Sequence, residues 1–294
     1  MINQFIGTGV ALVTPFDEQY NVDINALQKI VTHTIEAEGI DYLVVMGTTG
    51  ESVTLSLKEK KQVLGIVTRH KNDRPIVLGI GGNNTMHILE QFSEFDPESY
   101  DAILSVCPYY NKPSQKGLIN HFTMVADKSP KPVILYNVPG RTSINLSAKS
   151  TIELSSHPNI IGIKEASGDF NQCISIVKNT DDSFLLISGD DLLALPLIAI
   201  GAKGLISVIA NALPEEMGKI VKSGLDGNFG EANKMLYRIS YLIELMFREG
   251  NPTGVKALLS LLNLCTEQVR PPLIRSTTEL ISEIKMEYSK VKTR

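Results

Sequence analysis

Eight short apolar, β-branched runs recur along this chain, and their spacing limits the fold more than any other feature. They are GVALVTP (9–15), YLVVMG (42–47), PIVLGIG (75–81), AILSVCPYY (102–110), PVILYNVP (132–139), IIGIKEAS (160–167), FLLISGDD (184–191) and GLISVIAN (204–211). Successive runs start about 20 to 33 residues apart, which is room for one strand, one helix and two short loops. Their near-continuous apolar character is that of parallel strands buried on both faces; a half-exposed strand would alternate. The segments between them carry helix signals. Asp23 stands at an N-cap position before Leu27, Ile30, Val31 and Ile35, with Gly39 placed to end that helix. Ser56 and Glu59 have capping-box spacing ahead of Val63, Ile66 and Val67, and Ser114 precedes Leu118, Phe122, Val125 and Ala126.

Eight βα units predict an α/β fold, a closed (β/α)8 TIM barrel, although an open doubly wound sheet would give the same alternation. The first turn separates the two. No GxGxxG follows the first run, and the later Gly79, Gly81, Gly82 cluster has Asn84 where the last glycine belongs, which speaks against a dinucleotide-binding sheet. After Asn211 the strand signal stops. The stretch from Pro214 is expected to supply the eighth barrel helix, giving a barrel over residues 1–226 and a C-terminal helical extension over 227–294. A stripe at Ala232, Met235, Leu236, Ile239, Leu242, Ile243 and Met246 marks that extension, with breaks at Gly250, Pro252 and Pro271-Pro272.

Composition narrows the partners. With 28 Lys plus Arg against 32 Asp plus Glu, the net charge of −4 offers no basic excess for nucleic acid. The basic end over 285–294 reads as the solvated end of a last helix. The most apolar stretch, 192–202, contains Pro196 and Gly201 and stops at Lys203, far short of the roughly 20 residues that span a bilayer. The first residues, MINQFIGTGVALVTP, lack the basic region of a secretory signal. Cys107, Cys173 and Cys265, three in number and far apart, give neither a disulfide framework nor a CxxC metal knuckle, so a cytoplasmic setting is expected.

Catalytic groups of a barrel sit at the C-terminal ends of its strands. There the chain places Thr48 and Thr49 in a Gly-rich turn, Tyr110, Tyr136, Arg141 and Lys164. Two-residue alternation puts Lys164 with Gly162 on one face, opposite Ile163 and Glu165. If that face is the barrel interior, burial favours the neutral amine, which can attack a carbonyl and form a Schiff base. The alternative is a lysine that reaches solvent or pairs with Glu165. A phenol, with pKa about 10, passes protons poorly unless other hydroxyls share its charge, so Tyr136 would need partners such as Thr48 and Tyr110. Each of these hydroxyls could equally be a core rim or a cap. Arg141, after Pro139-Gly140, could clamp a carboxylate with two hydrogen bonds or be a solvated loop charge. Asp190 and Asp191 could look like catalytic carboxylates, but one of them is expected to cap the next helix. The five histidines, His33, His70, His87, His121 and His157, lie singly in separate segments, so no metal site is expected.

Six stretches together carry a resemblance: GTTGES (47–52), PYYNKPSQ (108–115), YNVPGRT (136–142), GIKEASGD (162–169), SGDD (188–191) and GLISVIAN (204–211). In this order the chain resembles the dihydrodipicolinate synthase family, which belongs with N-acetylneuraminate lyase among the Schiff-base pyruvate lyases and aldolases. The resemblance implies that Lys164 forms an imine with pyruvate and that Tyr136 passes protons. It further implies that Thr48 and Tyr110 complete the hydroxyl relay, Tyr110 reaching into the neighbouring subunit's site. Thr49, the backbone at Ile206, and Gly189 would hold substrate, and Arg141 would receive the carboxylate of L-aspartate 4-semialdehyde. The implied reaction is condensation of pyruvate with that aldehyde, the first committed step toward diaminopimelate and lysine. Pyruvate would be bound covalently, with no cofactor or metal, in a homotetramer built as a dimer of dimers.

Two other functions remain open on sequence. One is a 2-keto-acid sugar lyase on the same scaffold, against which Thr49 and Arg141 speak; the other is a non-catalytic barrel that binds a keto acid. For feedback control by lysine, Ser52, Asn83 and Tyr109 match the inhibited pattern, whereas Leu57, Lys60 and His87 depart from it, so weak or absent inhibition is expected. Gly254 replaces the second proline of the family's NPxPxK.

Overall fold

The computed structural model describes residues 2–292, so the last two residues of the basic tail and of the expected extension lie outside the described residues. Strands β1 (Gly7–Ala11), β2 (Tyr42–Val45), β3 (Ile76–Gly79), β4 (Ala102–Val106), β5 (Val133–Asn137), β6 (Ile160–Glu165), β7 (Leu185–Ser188) and β8 (Gly204–Ser207) close into one parallel barrel in chain order. The first strand pairs with both β2 and β8. Each of the eight runs thus supplies one strand, and the closed barrel displaces the open sheet.

The helices are α1 (Ile24–Glu36), α2 (Leu57–His70), α3 (Thr85–Gln91), α4 (Gln115–Lys128), the short turn α5 (Pro139–Thr142), α6 (Ala148–Ser155), α7 (Phe170–Asn179), α8 (Ala194–Ala199), α9 (Pro214–Leu225), α10 (Phe229–Arg248), α11 (Thr253–Leu261) and α12 (Thr278–Lys292). None among the described residues is long and apolar enough to cross a membrane.

Alternation along the strands explains why the runs are apolar throughout. Val44, Ile134, Tyr136, Leu185, Ile187 and Ile206 belong to the cluster that fills the barrel. Their neighbours Leu43, Val45, Val133, Leu135, Leu186 and Leu205 belong to the layer between strands and helices. Both faces are buried, so a polar side chain there is costly without a partner, and among the described residues the hydroxyls of Thr8, Tyr42 and Ser105 are buried without one. Phe5 meets Tyr42 edge-on at 5.7 Å between ring centroids within the same inner cluster.

The runs outlast the strands at their C-terminal ends, where the backbone turns. Met46 and Tyr110 both have positive φ, and the residues beyond β2 form a 3-10 turn at Thr48–Gly50. Local caps behave as the residues predict. The Asp23 side chain accepts from the Ala26 amide, Ser56 and Glu59 form both bonds of a capping box, and Ser114 accepts from Gly117. Gly39 does not end α1: the helix stops at Ala37, which is extended, and Gly39 takes the left-handed conformation two residues later. Asp190 accepts from the Leu192 and Leu193 amides just before α8.

The extension packs through the α10 stripe, buried from Ala232 to Met246 except for the half-buried Met235. Gly254 sits where α11 crosses α10. A Cβ there would lie 2.4 Å from the Met246 carbonyl oxygen, and its amide donates to the Gly250 carbonyl. Both facts disfavour a proline at this position.

Candidate active site

Lys164 leaves β6 toward the barrel interior. Its register partners are Tyr136 on β5 and Ile187 on β7, both in the inner cluster, while Ile163 lies in the outer layer. The residue is 6% exposed. Its Nζ lies 4.4 Å from the centroid of the Tyr136 ring, so the amine meets a π face rather than an acid. The Gly189 backbone lies against its stem.

Glu165 is not its partner. On the opposite face of β6 that carboxylate accepts from Asn137 Nδ2 at 3.0 Å, Gln172 Nε2 at 2.8 Å and the Ser167 amide at 2.7 Å. Burial, with the Glu165 charge adding to it, pushes the Cys107 and Cys173 thiols up to about 12. Both cysteines therefore stay protonated at neutral pH and are poor nucleophiles. Glu165 and Asn137 thus fasten β5 to β6 from outside, and among the described residues no acid pairs with Lys164 on the inside.

A cavity of about 440 Å³ opens at the C-terminal ends of the strands. Thr48, Tyr136 and Arg141 line it, together with Tyr109, Asn83, Lys60 and His87. Arg141 lies on α5, exposed at the mouth, and its guanidinium reaches the Asn251 carbonyl at 3.5 Å. Burial lowers the pKa of Lys60. Thr49, one residue from Thr48, is buried and its hydroxyl accepts from Asn251 Nδ2 at 3.0 Å, which leaves the hydroxyl proton available to an anion. Ile206 sits in the inner cluster on β8. Lys164, Thr49, Gly189 and Ile206 lie deeper and are not among the residues that line this cavity; Tyr110, also absent from the lining, stands apart, 88% exposed with φ of 75°.

Several residues that shape the site do so through contacts that the sequence does not show. Asn251, from the extension, is bonded to Thr49, and its Oδ1 is buried without a partner among the described residues. Lys256 and Glu51 form a buried ion pair beside the Thr48–Thr49 turn. Asp191 is fully buried, accepting from Ser207 Oγ and the Val208 amide, and burial lifts it to about 6. The first two pairs join residues about two hundred positions apart, so no local pattern reveals the contacts, although GTTGES holds one member of each pair and NPxPxK the other. Among the described residues no three His, Cys, Asp or Glu side chains converge as a metal site.

Comparison with known proteins places this arrangement. The chain is 47% identical to the 4-hydroxy-tetrahydrodipicolinate synthase of Cytophaga hutchinsonii, covering 99% of this chain and 98% of that one. It is 46% identical to the enzyme of the same name from Flavobacterium psychrophilum, over 95% and 96% of the two chains. The crystal structure of the chloride-inhibited dihydrodipicolinate synthase from Acinetobacter baumannii, complexed with pyruvate, superposes with a TM-score of 0.94 at 35% identity, covering 98% and 99%. The sequence model of the Dihydrodipicolinate synthetase family matches residues 4–290, and the chain belongs to that family.

Proposed function

We propose that this protein condenses pyruvate with L-aspartate 4-semialdehyde through an imine on Lys164, giving 4-hydroxy-tetrahydrodipicolinate, as a 4-hydroxy-tetrahydrodipicolinate synthase. The observation that carries this reading is the buried lysine at the end of β6, facing the barrel interior with the Tyr136 ring against its amine. Among the described residues no acid pairs with it, and a primary amine is the nucleophile that forms an imine with a ketone.

The Lys164 amine adds to the pyruvate carbonyl, and the carbinolamine loses water to give the imine. The pyruvate methyl then gives up a proton, and the electron pair passes to the iminium nitrogen, so no further electron sink is required. The resulting enamine attacks the aldehyde carbon. The amino group of the second substrate then adds to the imine carbon and closes the ring, and Lys164 leaves as the free amine. One water is released for each pair of substrates joined.

Each proton step needs a carrier near Lys164. Tyr136 is next to it and lines the cavity together with Thr48. Tyr110 serves from a neighbouring copy, which accounts for an aromatic ring standing in solvent on a left-handed residue. The chain therefore works as a homo-oligomer, a tetramer built from two tight dimers. Thr49, Gly189 and the backbone at Ile206 hold pyruvate, and Arg141 at the mouth takes the carboxylate of the aldehyde. No cofactor or metal takes part. Three free cysteines, two of them buried, suit a reducing cytoplasm.

The deciding assay compares condensation with cleavage. Pyruvate with L-aspartate 4-semialdehyde is set against N-acetylneuraminate and 2-keto-3-deoxygluconate. The highest kcat/KM is expected for condensation; a higher value on a sugar acid would overturn the assignment.

A further inference from the structure

We propose that Lys256, carried by the helical extension, is a positioning residue for the pyruvate site, acting through Glu51 on the Thr48–Thr49 turn. The inference rests on the reading above, in which Thr49 holds pyruvate. It begins with Glu51, the residue directly after that turn. Glu51 has φ of 49° and ψ of 34°, a left-handed conformation that a non-glycine residue keeps only when its surroundings hold it there. Its amide donates to the Thr48 carbonyl at 3.1 Å and closes the turn.

What holds the Glu51 carboxylate comes from the extension, while Thr54 donates its amide and its hydroxyl to the Glu51 carbonyl. Its carboxylate is buried, with Oε1 2.5 Å from Lys256 Nζ and Oε2 2.9 Å from the Arg270 amide. Lys256 has no exposure at all; its Nζ also donates to the Gln268 carbonyl at 2.8 Å and lies 4.2 Å from the Phe16 ring centroid. From the barrel side, Thr14 Oγ1 donates to the Gly50 carbonyl at 2.7 Å. Asn251, at the entry to the helix that carries Lys256, reaches Thr49 itself. The turn is thus gripped between the barrel and the extension, and it cannot shift without separating two buried charges.

A buried ion pair is a weak source of stability, since an apolar pair of similar size does as well. What this pair adds is position. A carboxylate fixed by donors on both oxygens sets where the preceding turn sits, and with it the direction in which the Thr49 hydroxyl points. Lys256 touches no substrate in this arrangement. Its effect is expected on how tightly pyruvate is held.

Three variants test this: Lys256→Met, Glu51→Gln, which keeps an acceptor for the Arg270 amide, and the double variant, which leaves no charge buried. Pyruvate KM, kcat and thermal unfolding are measured for each beside the wild type. Pyruvate KM is expected to rise at least about 10-fold in every folded variant, the effect of misplacing one hydrogen bond to a carboxylate, with kcat within about 3-fold. The double variant is expected to recover the stability that Lys256→Met loses while its pyruvate KM stays high. A merely structural pair would instead lower kcat through loss of folded protein, and the double variant would restore it. A folded double variant with wild-type pyruvate KM overturns the proposal. A wild type with no saturable dependence on pyruvate overturns the parent reading instead.

Discussion

A methyl group added at Gly189 should disable Lys164 without touching any reacting atom. A Cβ at this position would lie 2.7 Å from the Ala166 Cβ, 3.0 Å from the Lys164 Cε and 3.2 Å from the Glu165 carbonyl oxygen. Carbon atoms in good contact stand about 3.5–4.0 Å apart, so the Lys164 stem must retreat by roughly 0.5–1 Å. Its retreat is limited because Ile187 and Tyr136 occupy the paired positions on either side. Misplacing a reacting group by about 1 Å costs on the order of 100-fold in rate. Overpacking of this kind also costs about 1–3 kcal/mol of stability. Gly189→Ala is therefore expected to unfold at a lower temperature and to form the pyruvate imine about 100-fold more slowly, read as the rate of borohydride-dependent inactivation. Gly140→Ala serves as the control, because a Cβ there meets nothing within 4 Å. A folded Gly189→Ala protein that forms the imine at the wild-type rate would refute the placement of Lys164 as the nucleophile.

Three further outcomes are expected. Arg141→Ala should still form the pyruvate adduct but lose most of the condensation, because only the aldehyde substrate uses that guanidinium; loss of the adduct would contradict this division, and trapping beside the condensation assay reads both. Free lysine should inhibit weakly or not at all, since Lys60 and His87 line the cavity beside Tyr109 and Asn83; half-maximal inhibition at submillimolar lysine in the steady-state assay would defeat that expectation. The third outcome concerns pH. Burial raises Asp191 from its usual 3.8 to about 6, so between those values the folded state keeps a proton that the unfolded chain has lost. Its contribution therefore falls as pH rises through that window, by roughly 3 kcal/mol, and is flat above it. Burial lowers His121 from 6.5 to about 4, so its contribution rises over nearly the same window and offsets that of Asp191. Asp191→Asn removes one side of this balance, and acidification from pH 7 to 4.5 should then cost more stability than in the wild type, as measured by chemical denaturation. Parallel pH profiles for the two proteins would contradict this.

The barrel was legible because both faces of each strand are buried, which made every strand a visible apolar run. The same alternation grouped Gly162 with Lys164 and Ile163 with Glu165, but which of the two sides faces the barrel interior is set by the closed sheet. Local caps such as Ser56 with Glu59 were readable because they depend on residues three apart. What lay hidden depends on contacts between distant segments. Glu165 looked like a possible partner for Lys164 until Asn137 and Gln172 were seen to hold it on the outer face. Asp191 looked like a possible helix cap; Asp190 bonds the amides before α8, and Asp191 turns inward to Ser207. The grip of the extension on Thr49 and Glu51 spans about two hundred residues and has no periodic signature. At Gly254, where NPxPxK has proline, a Cβ would press on the Met246 backbone, a contact that only the packed helices reveal.

The chemistry assigned to this site stands on one covalent bond. Incubation with pyruvate and borohydride, followed by mass spectrometry of the digested chain, locates that bond directly. The reduced pyruvate adduct is expected on Lys164 alone in the wild type and to be missing from Lys164→Ala. An adduct on another lysine, or none under conditions that trap a known pyruvate aldolase, would contradict the Schiff-base assignment.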